Sequence, residues 1–88
     1  MELIMSIALM RDALMSRPAL SDAGTITEYL PAYEELTYRF HEGLNARIAS
    51  HGNGLYQMTL AGFWHLEPGT VGQVIEYLAN VDAPVGGN

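Results

Sequence analysis

The sequence contains no cysteine and no lysine. Without thiols there is no disulfide framework, no thiolate zinc site and no cysteine nucleophile. Without lysine, four arginines face ten acidic residues, for a formal net charge of −6. Duplex-binding proteins and anionic membrane surfaces both draw on lysine and arginine for affinity. This balance therefore argues against direct nucleic-acid binding and against a membrane surface. Serine is scarce, at four residues, and no G-x-S-x-G is present, so a nucleophile elbow is absent. No glycine-rich loop carries the lysine of a phosphate-binding loop. Long hydrophobic runs are missing too: the longest uncharged run near the start, Leu3 to Met10, is eight residues, against the roughly 20 a membrane span needs. That segment also lacks the basic stretch and small-residue cleavage site of a signal peptide. It reads as an uncleaved helix of a soluble, cytoplasmic protein.

What is present is a run of elements with clear punctuation. In MELIMSIALMRDALM, Leu3, Ile7, Met10 and Leu14 share one helical face, and Ile4, Ala8 and Met15 form an adjoining stripe. So wide an apolar arc has two readings: core filling within the chain, or a homodimer through the N-terminal helix. Pro18 ends this helix near Ser16 or Arg17. Thr25 and Glu28 have the spacing of a capping box, which predicts a short helix through Tyr29 and Leu30, with a kink or restart at Pro31. At the other end, Thr70 and Gln73 form a second capping box. Val71, Val74, Ile75, Leu78 and Val81 follow as an apolar stripe, which predicts a helix over about 70–81.

Between them, the tripeptide Gly52-Asn53-Gly54 supplies residues suited to a hairpin loop. With Gly52 at the centre, residues whose numbers sum to 104 face each other, pairing Ile48 with Tyr56, Ala46 with Met58 and Leu44 with Leu60. Apolar meets apolar along both arms except at Glu42, which falls opposite Gly62. The expectation is a long two-stranded antiparallel hairpin over about 36–66, twisted or bent near Gly43 and Gly62. The whole is an α+β chain: N-terminal helix, short helical or turn segment, long hairpin, C-terminal helix. Residues 1–82 are expected to form a single domain and 83–88 a flexible tail.

That register places His41 and His65 as diagonal neighbours on the polar face, with Phe63 exposed beside them. A two-histidine site completed by Glu35 or Glu67 is the nearest approach to a metal centre. The adjacent Arg39 and the absence of H-x-x-x-H spacing tell against it. No cofactor, metal or catalytic group is expected. The remaining feature is surface: Glu28, Glu34 and Glu35 interleave with Tyr29 and Tyr33, in a stretch without a basic residue. Such a patch suits a basic protein surface. The order of elements also resembles that of winged-helix regulators, in which the segment near Thr25 to Glu35 would be the recognition helix; its acids have the wrong sign for phosphate contact. The expected function is a small acidic protein-binding module that modulates or inhibits a protein or nucleoprotein partner, as inhibitors encoded by viruses and mobile elements do. Phe63, His41, His65, Tyr29, Tyr33, Glu28, Glu34 and Glu35 are its candidate contacts. A dimeric transcription regulator and a small metal-binding or enzyme subunit are the alternatives.

Overall fold

Pro18 both ends one helix and begins the next. In the computed structural model, which describes residues 6–62 and 64–81, helix α1 spans Ser6–Ser16 and the single-turn helix α2 spans Pro18–Ser21. Arg17 between them is extended (φ −93°, ψ 111°), as a residue before proline must be, and Pro18 takes the first helical position, where its missing N–H costs nothing. Ile7, Met10 and Leu14 are fully buried, so the described part of the expected stripe is the one that packs; Leu3 lies outside the described residues. Leu9 and Met15 remain exposed on the far side of α1.

The capping-box reading of Thr25 and Glu28 is overturned: both lie in strand β1, Gly24–Leu30. The segment GTITEYL is rich in β-branched and aromatic residues, and it is closed by Pro31 before a helix could gain length. Pro31 opens a 3₁₀ turn, Pro31–Tyr33, after which Glu34 adopts a left-handed conformation (φ 55°, ψ 49°) and reverses the chain into β2, Glu35–Phe40. The residues expected to be a recognition helix are thus a strand and a turn, and the winged-helix order is not kept.

The long two-stranded hairpin is likewise corrected. Its arms are cut by two further turns, so the chain forms β2, β3 (Asn45–Gly52), β4 (Leu55–Leu60) and β5 (Trp64–Gly69). With β1 these make one five-stranded antiparallel sheet in the order β1-β2-β3-β4-β5. The breaks fall where the pattern faltered. At Glu42 the chain turns, the Gly43 amide donating to the Phe40 carbonyl at 2.8 Å with Gly43 at φ 111°. At the second break Ala61 and Gly62 both have positive φ, 54° and 85°. Folding back gives β2, β3 and β4 hydrogen-bonding neighbours on both sides. A two-stranded ribbon would have left each strand one open edge.

The register at the central hairpin also differs. Ile48 lies opposite Met58 and Ala46 opposite Leu60, so the numbers sum to 106 rather than 104. Asn53 and Gly54, at φ 55° and 76°, form the two-residue loop, and Gly52 pairs with Leu55 across an irregularity beside Ser50. A slip of two preserves the faces, so Ala46, Ile48, Tyr56, Met58 and Leu60 stay on the apolar side.

Helix α3, Val71–Ala79, follows the expected capping box, with Thr70 accepting from the Gln73 amide and Gln73 bonding back to the Thr70 amide. Val74, Ile75 and Leu78 are buried. The core consists of these residues, the α1 stripe, Leu20, and one face of the sheet: Leu36, Tyr38, Phe40, Ala46, Ile48, Tyr56, Met58 and Leu60. Two tyrosines tie helices to sheet. Tyr38 Oη donates to the Leu20 carbonyl at 2.6 Å and Tyr56 Oη to the Ser6 carbonyl at 2.7 Å. The expected tail, 83–88, and Phe63 lie outside the described residues. No helix among the described residues is long and apolar enough to cross a membrane.

Candidate functional site

Among the described residues the three α-helices pack on one side of the sheet, so alternation along each strand assigns the other residues to a helix-free face. The pairing places Glu28, Thr37, Arg47, Thr59 and His65 opposite one another in turn, one from each strand, as a row across the whole sheet. Around its centre lies a shallow depression of about 660 Å³, lined by Thr37, Leu44, Asn45, Arg47, Thr59 and His65 among others. Thr59 Oγ1 and His65 Nδ1 are 3.2 Å apart. Arg47 pairs with Glu35, its diagonal neighbour on β2. A guanidinium, two hydroxyls, an amide and an imidazole can all hydrogen-bond a polar surface or an extended backbone. Another depression, about 650 Å³, lies between the end of α1 and the start of α3 and is bridged by Arg17 and Glu76 at 2.8 Å. That hydrogen bond and the arginine's charge hold the Glu76 carboxyl below its usual range.

The expected contacts are dispersed by this topology. His41 sits in the β2–β3 turn, exposed, with its amide bonded to the Ala23 carbonyl at 2.8 Å. His65 is on β5, so β3 and β4 separate the two imidazoles, and the diagonal pair is not formed. His65 faces Thr59 rather than Arg39, which lies opposite Thr25 and Asn45. Among the described residues no three histidine, aspartate or glutamate side chains converge as metal ligands.

The acidic stretch is divided in the same way. Glu34 accepts a hydrogen bond from the Ile7 amide in the first turn of α1, at 3.1 Å, where a carboxylate complements the helix dipole. Glu35 is engaged by Arg47. Tyr29 lies under the Arg11 guanidinium, 4.6 Å from the ring centroid. Glu28 and Tyr33 remain exposed, Tyr33 at 74%. Sequence reasoning missed Thr37, Arg47 and Thr59. Their signal was the alternation of polar residues along each strand, but it carries no strand order, and so could not show that they align.

Compared with known proteins, the chain matches no family model, no curated protein and no solved structure.

Proposed function

We propose that this chain is a small acidic protein-binding module that modulates or inhibits a partner with a basic surface, docking it on the helix-free face of the sheet and its β1 margin. The observation that carries the reading is the placement of the three described α-helices on one side of the sheet. The other side presents a polar row, from Glu28 to His65, spanning every strand. A five-stranded sheet displays such side chains on a stiff frame, so a partner gains contacts without ordering the module. The charge balance supports a basic partner. Of the four arginines, Arg11 stacks on Tyr29, while Arg17 and Arg47 are paired with carboxylates. Among the described residues, Asp22, Glu28, Glu42 and Glu67 are exposed with no basic group within 4.0 Å.

The test is affinity capture from cell extract with quantitative mass spectrometry, comparing the parent chain with Glu28→Lys, Arg47→Glu and Phe63→Ala. The expected result is a protein recovered by the parent, lost with Glu28→Lys and recovered more strongly with Arg47→Glu, which adds negative charge to the face. If no protein's recovery depends on either substitution, the proposed surface is wrong.

A further inference from the structure

The two edges of the sheet differ. β5 carries Glu67 and Pro68 within its six residues, and proline interrupts the row of donors that a pairing strand needs. β1, Gly24–Leu30, holds neither proline nor lysine, and four of its seven residues are β-branched or aromatic. Among the described residues its guards are the charge of Glu28 and the register shift between Ile26 and Glu28.

The direction of its backbone groups follows from the ladder. The Ala23 carbonyl accepts from the His41 amide, so Ala23 and Thr25 turn their backbone toward β2 while Gly24 and Ile26 turn theirs away. Beyond the shift, Glu28 and Leu30 lie opposite Thr37 and Glu35 and turn toward β2, leaving Tyr29 turned outward. Gly24 is buried, while Ile26 and Tyr29 are half-buried. An open edge of this kind is a template for one more strand.

Charge decides which strand. Asp22 precedes β1, Glu28 lies within it, and Glu42 sits next to His41, whose amide holds the start of β1. None of the three has a basic group within 4.0 Å among the described residues; of the guanidiniums near this strand, Arg39 lies opposite Thr25 and Arg11 is taken up on the Tyr29 ring. A second copy of the chain paired along β1 would bring the same three carboxylates against their equivalents. A strand bearing lysine or arginine relieves that repulsion.

We infer that β1 is a docking edge that takes up an extended basic segment of a partner protein by strand addition, through the backbone of Ile26 and Tyr29 and the carboxylates of Asp22, Glu28 and Glu42. This deepens the proposed function and rests on it.

The probe is a capped peptide alternating arginine and valine, long enough to span β1, with a valine and glutamate peptide as its control. Binding is followed by calorimetry, and hydrogen exchange of the full chain is read amide by amide. The expected outcome is saturable binding of the basic peptide alone, slowing exchange at Ile26 and Tyr29 by about tenfold or more. Glu28→Lys then weakens binding by about fivefold or more. Ile26→Pro removes an outward amide and abolishes binding; its fold is checked by circular dichroism, and Glu28→Lys carries the test if it unfolds. Binding that leaves Ile26 and Tyr29 unprotected but shifts Thr37, Arg47 and Thr59 overturns strand addition while leaving a protein-binding face. Equal binding of the acidic peptide, or no binding of the basic one, also overturns it. Self-association that protects Ile26 and Tyr29 without peptide would make the occupant a second copy, and overturns it too.

Discussion

Tyr38 shows how one hydroxyl can locate a helix. Its ring is fully buried, meets Phe40 edge-on at 5.0 Å, and its Oη reaches the Leu20 carbonyl. Burial pushes the Tyr38 hydroxyl above the ordinary value of 10.0. Tyr56 is raised as well, by burial first, with Glu34 adding to the rise and the Ser6 hydrogen bond opposing it. A raised value means that the folded chain keeps these protons at a pH where the unfolded chain has lost them. Stability is therefore intact below pH 10.0 and falls as pH climbs above it. Thermal melts at increasing pH should show that decline, and Tyr38→Phe should show less of it. At neutral pH the same substitution removes one hydrogen bond from the Leu20 carbonyl, which keeps the Ala23 amide at 3.2 Å, at a cost of about 1 kcal/mol in urea titration. Gly24 is the complementary case. A Cβ there would lie 2.3 Å from the Arg39 carbonyl oxygen and 2.6 Å from Tyr38 Oη. Gly24→Ala is expected to cost about 1–3 kcal/mol, measured by urea titration. The sequence shows neither role, because the glycine is needed for a neighbour that only strand pairing supplies.

At the scale of elements, local chemistry explains helices better than strands. α3 announces itself through Thr70, Gln73 and a stripe at helical spacing, since both signals lie within its own residues. Thr70→Ala should lower stability by about 1 kcal/mol, with the loss appearing as faster amide exchange in the first turn. Thr25 and Glu28 offered the same spacing and failed, because β1 gains a full ladder with β2 that a short helix before Pro31 could not match. The strand breaks were half visible. Glu42 and Gly43 marked a fault in the alternation, and an isolated ribbon can absorb such a fault as a bend. Gly43 at φ 111° makes it a reversal instead. Gly43→Val forces a side chain into that region and should cost about 1–3 kcal/mol by chemical denaturation. A circular dichroism spectrum that keeps its strand signal would confirm that the turn, and not the sheet, bears the strain.

For the molecule as a whole, position in the sheet decides what each charge can do. The sequence presented Glu28, Glu34 and Glu35 as one patch, yet Glu34 serves α1, Glu35 is held by Arg47, and Glu28 faces solvent. With a net charge of −6, association with a basic partner is expected to be steered by long-range attraction. Raising ionic strength should slow the association rate by about tenfold or more in stopped-flow measurements, with a smaller effect on dissociation.

The sequence by itself determined the α+β class, the buried stripes of α1 and α3, the capped start of α3, and which face of β2, β3 and β4 turns inward. All of these follow from periodicity and from contacts a few residues apart. Only the tertiary structure decided that two expected arms are four strands, that a fifth lies before them, and that His41 and His65 stand apart. A slip of two residues leaves every side chain on its own face, so the pattern cannot distinguish the registers. Strand order depends on where each turn closes and on the backbone's demand for partners on both sides, and neither is written in the alternation of residues.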